Sequence, residues 1–377
     1  MNEGLRRRRA ARITGLLLLL ALVPIGFLVL RDPRVKNWIK VRVPHPFDRS
    51  ETLSERVAIR FFDLGRIGNE YRYDPVAYLL TRPNMSAVWE WPEHATGQLM
   101  MDTNDIGMRE DNPIAELRPG PRVLVAGDSH TAGLVPNRES FANVAEALLR
   151  NEAGFEQVEV LNAGVAFTGP TCYLGVLKKY LELEPDAFVA VLFAGNDFAD
   201  DIFLRFALDG WSMPRGSKEY HHRLRIGAEQ FPEGIYQGFN QAYRWVHFQA
   251  EAERSVEIVT ESFRQMGALC AEHGVAFLPV VLPTKMDVDG DDDAERQASL
   301  RNQLELSEEE VAVNLRSVQR VVQVLEAEGL RWLDPTEAMR DHAEPLYWRM
   351  DYHLNTAGHA LVGRLLAEEL RTLLARR

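Results

Sequence analysis

The chain has 377 residues, 46% hydrophobic and 26% charged, with a formal net charge of −12. This is the composition of a folded chain, long enough for one large domain with additions, and its acidic balance excludes a nucleic-acid surface, which needs clustered Lys and Arg. Two cysteines, Cys172 and Cys270, are too few for a disulfide scaffold, and no Cys/His spacing suits zinc.

Arg6 to Arg9 and Arg12 precede an uncharged run over residues 13–30, interrupted only by Thr14, Gly15, Pro24 and Gly26. As a helix such a run would reach about 27 Å, just enough for the hydrocarbon core of a bilayer. The arginines resist translocation. The expectation is a basic cytoplasmic tail over residues 1–12, a transmembrane anchor over 13–30 in a bacterial inner membrane, and a remainder facing the periplasm or exterior. A cleaved signal peptide competes, but its apolar region would be shorter and end in small residues. This run ends in Phe27, Leu28, Val29 and Leu30.

Residues 31–118 are polar, with Pro44, Pro46, Pro75, Pro83 and Pro92 discouraging long helices, and read as an extracytoplasmic stem with short strands leaning on the main domain. Arg118, Pro119, Gly120 and Pro121 mark a boundary. Beyond it, over residues 119–377, apolar runs at 123–126, 158–161, 188–193, 276–282 and 330–333 alternate with helical stretches at 140–151, 256–272, 308–328 and 356–375. Strands alternating with helices imply βαβ units, hence a three-layer α/β/α sandwich around a flavodoxin-like parallel sheet of about five strands. Insertions at 200–250, rich in aromatics, and 286–306, acidic, follow the third and fourth strands, where a substrate lid would sit. The aromatics could stack on sugar rings, or simply form the core of an inserted helical unit.

The first strand ends in Gly127-Asp128-Ser129-His130. A serine hydroxyl is a poor nucleophile until a base takes its proton and donors await the oxyanion. Gly127 permits a tight strand-to-helix turn, and Asp128 can cap the helix behind it. Gly164, in Asn162-Ala163-Gly164-Val165 after the second strand, can bring a bare N–H to a substrate oxygen. Asn196, in Ala194-Gly195-Asn196-Asp197 after the third, is a neutral donor. Asp351-Tyr352-His353-Leu354-Asn355, before the last helix, offers a base in His353 and a carboxylate in Asp351 to hold its tautomer. Other polar residues have plainer readings. Asp334, before Pro335 and Glu337, starts a helix. Asp287, Asp289, Asp291, Asp292 and Asp293 lack the twelfth-position Glu of a calcium loop. His130 faces away from the base position, and His359 looks structural.

Ser129, Gly164, Asn196 and His353, in this order, resemble the four blocks of the SGNH, or GDSL, hydrolase family over roughly residues 123–370. Asn104-Asp105-Ile106-Gly107-Met108-Arg109 and Leu282-Pro283-Thr284-Lys285 are similar to segments of its bacterial envelope members, among them exopolysaccharide acetylation proteins. The resemblance implies an oxyanion hole from Ser129 N–H, Gly164 N–H and Asn196, and chemistry needing no metal or other cofactor. It further implies a serine esterase acting on O-acyl groups of an envelope carbohydrate. An O-acyltransferase using the same serine, or a low-turnover scaffold in polysaccharide assembly machinery, are the alternatives. Two departures stand out: Ala194 where the family usually has glycine, and a gap of two between Asp351 and His353 where three is usual.

Overall fold

The computed structural model describes residues 52–114, 120–211, 213–289 and 293–375. It begins with the helix Leu53–Phe61, where Thr52 accepts a hydrogen bond from Glu55 N–H at the amino end. Two antiparallel hairpins come next: β1 (Tyr71–Asp74) with β2 (Tyr78–Thr81), then β3 (Ser86–Glu90) with β4 (Gln98–Asp102). Ala58, Phe62, Tyr71, Leu79 and Leu80 bury their side chains in the same cluster as one face of the main sheet. This segment therefore shares the central core, and one of its elements is a nine-residue helix that the prolines had not suggested.

The main sheet is parallel, with strands β5 (Arg122–Ala126), β6 (Glu159–Asn162), β7 (Ala187–Phe193) and β8 (Ala276–Leu282) in the order β6-β5-β7-β8. Every residue of β5, β6 and β7 is buried, as a sheet covered on both faces requires. Leu124, Phe188 and Leu192 point into a cluster with Phe263 and Val321, from the helices Gln249–Glu272 and Val313–Ala327. Val123, Val189 and Val191 point the other way, against the helices Phe141–Arg150 and Thr356–Leu374. The expected fifth strand at residues 330–333 is reduced to one parallel bridge, Val280 to Leu333. Asp334 turns the chain immediately after it, with a side-chain bond to Thr336 N–H, so no ladder propagates.

The transmembrane expectation needs correction. No helix among the described residues is long and apolar enough to cross a membrane. The longest described helix, Gln249–Glu272, exposes Glu253, Arg254, Glu257, Glu261 and Arg264 along one face, so it belongs at a protein surface. The single-pass inner-membrane topology, with membrane contact through residues 13–30 and a periplasm-facing domain, is thus not supported, and residues 13–30 themselves lie outside the described residues.

The two insertions share one small core. Tyr220, Phe231, Phe239 and Tyr243 from the first pack with Leu300 and Leu304 from the second, and the cluster also takes in Tyr352. Most of the aromatics thus serve packing, while Trp211 and Tyr236 stay exposed.

Candidate active site

The carboxyl edge of the sheet gathers the residues singled out in sequence. At the end of β5, a side chain on Gly127 would collide with Thr131, so the turn needs glycine. Asp128 then caps the short helix Ser129–Ala132, accepting from His130 N–H at 2.9 Å. Ser129 thereby occupies the first helical position, whose backbone N–H has no intrahelical acceptor. His353 Nε2 lies 2.8 Å from Ser129 Oγ, and His353 Nδ1 lies 2.8 Å from Asp351 Oδ2. Asp351 Oδ1 also accepts from His353 N–H at 3.0 Å. With Nδ1–H donated to Asp351, Nε2 is left to accept the serine proton. The short gap between acid and histidine works because Tyr352, between them, adopts a left-handed backbone with φ 66°. Burial alone would lower the His353 pKa. The adjacent Asp351 carboxylate, helped by Asp128, instead holds it above the ordinary histidine value. Asp128 itself, pushed up to about 6 by burial, is 3.4 Å from Ser129 Oγ, a much weaker contact than that of His353.

The two residues expected to supply oxyanion donors differ in their surroundings. Asn196 sits at the cap of the helix Asp197–Asp209 without a capping bond, and its buried Oδ1 has no hydrogen-bond partner among the described residues. Gly164 N–H, by contrast, donates to Asn162 Oδ1 at 3.0 Å. A side chain at Gly164 would run into the backbone of Thr131 and Ala132, so this glycine is needed for close approach to the Ser129 turn.

A family model described as "SGNH hydrolase-like domain, acetyltransferase AlgX" matches residues 243–376, a stretch that holds Asp351 and His353 but not Ser129. This is an SGNH/GDSL hydrolase-like fold related to the AlgX type. That relation supports enzymatic activity of the esterase or acyltransferase class. No curated protein matches the chain. Among solved structures, an acetylxylan esterase from Geobacillus stearothermophilus aligns at 14% identity and a TM-score of 0.38, covering 67% of this chain and 96% of its own. The lipase/acylhydrolase from Enterococcus faecalis aligns at 17% identity and a TM-score of 0.34, covering 67% of this chain and 96% of its own. Likeness of that degree carries neither activity nor substrate across.

Around the chain of contacts from Ser129 through His353 to Asp351 stand residues whose part the sequence did not disclose. His130 stacks on His353, ring centroids 4.6 Å apart, with Phe193 at 3.8 Å. His130 Nε2 is 3.1 Å from Gln237 Oε1, and Leu354 N–H approaches Nδ1 at 3.4 Å, so the ring is a neutral Nε2–H tautomer. Burial, with the His353 charge beside it, holds its pKa well below the usual value. Gln237 belongs to the first insertion and carries no local signature in sequence. Arg109, fully buried, donates from its guanidinium to the carbonyls of Ala132, Gly133 and Val135 and to Asn137 Oδ1, gripping the chain that follows Ser129.

The polar residues with plainer readings have structural work. His359 accepts from Phe141 N–H at 3.2 Å, and burial drives its pKa down to about 3. Asp334 accepts from Thr336 N–H and Oγ1, and the helix begins at Thr336 with Pro335 as its cap, one residue later than the sequence suggests. Asp287 closes a capping box with Thr284, Asp289 accepts from Leu346 and Tyr347 N–H, and Asp293 meets Tyr352 Oη, while Asp291 and Asp292 lie outside the described residues. Among the described residues no group of three or more His, Cys, Asp or Glu could hold a metal ion. Cys172 and Cys270 are both buried, and no disulfide joins them.

Proposed function

We propose that the protein is a serine esterase that removes O-acyl groups, acetyl foremost, from a carbohydrate through an acyl-Ser129 intermediate. Ser129 Oγ attacks the ester carbonyl carbon while His353 Nε2 takes its proton, and Asp351 stabilises the resulting imidazolium. Ser129 N–H and the Asn196 amide meet the oxyanion. Gly164 N–H could join them only by leaving Asn162. Collapse breaks the ester C–O bond, and the departing sugar oxygen takes the proton from His353. Water then attacks the acyl carbon, giving its proton to Nε2; the bond from acyl carbon to Ser129 Oγ breaks, Oγ takes that proton back from Nε2, and the free acid leaves.

The observation that carries this reading is the unbroken chain from Ser129 Oγ through His353 to Asp351, with both side-chain contacts at 2.8 Å. The acetyltransferase description of the matching family favours a second reading, in which a sugar hydroxyl replaces water in the second step. The two differ only in that acceptor. Full-length protein should bind a fluorophosphonate at Ser129 and release acetate from acetylated oligosaccharides. A folded protein that does neither overturns the proposal, and formation of a sugar ester from an added acyl donor moves it to transfer.

A further inference from the structure

Phe167 departs from two local preferences at once. Its backbone is left-handed, φ 65°, a region that bulky side chains rarely enter, and the residue is 51% exposed. Stability alone would place Gly or Asn at that φ and a polar side chain at that exposure. Among the described residues it is the one large hydrophobic side chain that is both exposed and on positive-φ backbone. Strain of this kind gathers where a ligand must be met.

Its location narrows the choice of ligand. Phe167 lies in the loop after β6, strung between two parts of the relay site. On one side Val165 N–H donates to Gly127 O at 2.9 Å, directly before the nucleophile turn. On the other, Tyr173 Oη donates to Thr168 O at 3.2 Å and lies 2.9 Å from Asp197 Oδ1, beside Asn196. Tyr71, buried in β1, meets the Phe167 ring edge-on at 5.9 Å and 71°, bracing it while half the residue's surface stays open. A fixed, electron-rich ring face attracts the polarised C–H groups of a pyranose.

We propose that Phe167 is the platform on which the sugar ring bearing the scissile ester stacks; this rests on the carbohydrate-ester reading above. Full-length wild type, Phe167→Gly and Phe167→Tyr would be compared on 4-nitrophenyl acetate, 4-nitrophenyl octanoate and acetylated cellobiose. Glycine suits the left-handed backbone, so Phe167→Gly removes the ring without new strain, and circular dichroism confirms its fold. The expected result is a KM for the acetylated sugar raised about tenfold with kcat nearly unchanged, little effect on 4-nitrophenyl acetate, and recovery in Phe167→Tyr. Three results overturn the platform: an unchanged sugar KM in Phe167→Gly, a loss confined to the octanoate ester, or a wild type that cleaves 4-nitrophenyl acetate but no acetylated sugar. A wild type inert on all three esters sinks the esterase reading instead.

Discussion

The Ser129 hydroxyl can shed its proton only while His353 Nε2 is neutral and 2.8 Å away, so these residues should fail as a unit. Ser129→Ala, His353→Ala and the double variant should each lose on the order of 10⁴-fold or more in kcat, without adding, and Asp351→Asn should be milder. Steady-state kinetics decides this. Because Asp351 and Asp128 together outweigh burial and hold the His353 pKa above its usual value, the acid limb of kcat/KM should lie above about pH 6.5. Activity is lost as pH falls through that limb, since a protonated base accepts nothing. Asp351→Asn should move the limb to lower pH, and an unmoved limb would mean that another group sets it. Asp334→Asn should leave turnover intact and cost about 0.5–1 kcal/mol through the weakened turn before Thr336. If Asp334→Asn abolishes activity in a folded protein while Asp351→Asn does not, His353 has been paired with the wrong acid. Each residue of the relay stood out in sequence because it lies in a short block whose residue types carry chemistry. The grip of Arg109 on the carbonyls of Ala132 and Gly133 could not be read, since backbone acceptors leave no mark on sequence.

Between elements, the two insertions act less as a cover than as a brace for the base. Their shared core buries Tyr352, whose phenol meets Asp293 and whose ring meets Phe231 at 4.6 Å, holding the strained residue between Asp351 and His353. Gln237 adds a second hold through His130, which stacks on His353. Gln237→Leu should therefore lower kcat several-fold with little change in KM, and cost about 1–3 kcal/mol by leaving the buried His130 N–H without a partner. Chemical denaturation and kinetics on the same variant test both halves, and wild-type kcat with wild-type stability would remove this link. The parallel strands were readable because strands buried on both faces appear as continuous apolar runs. Residues 330–333 looked the same but form one bridge, because Asp334 and Pro335 turn the chain away before a second pairing can form. The contact between Gln237 and His130 spans 107 residues, and neither local pattern nor propensity could predict it.

Across the whole molecule, buried titratable groups pull stability in opposite directions. Burial pushes Glu110 up to about 8 and Asp201 to about 6, so the folded state keeps protons that the unfolded chain has released, and stability falls as pH rises through those windows. His359, held near 3 by burial, and His130, also depressed, do the reverse: the unfolded chain takes up protons first as pH falls below about 6.5. The opposing slopes meet in mildly acidic solution. Between about pH 6.5 and 8 the raised groups, among them Glu110, Asp200 and His353, are left acting together, so the thermal midpoint should decline across that interval. Glu110→Gln should flatten the decline. A midpoint that rises over the interval, or a slope untouched by Glu110→Gln, would show that the carboxyl is already ionised in the fold.

The 224 residues separating Ser129 from His353 also order events during translation. The nucleophile turn, its Asp128 cap and the Arg109 grip draw on neighbouring stretches of chain, so they can form early on the ribosome. The base arrives only after a long further run of synthesis. Until then the Ser129 hydroxyl has no His353 beside it, so under the proposed mechanism a stalled or prematurely released fragment carries a shaped but unactivated serine.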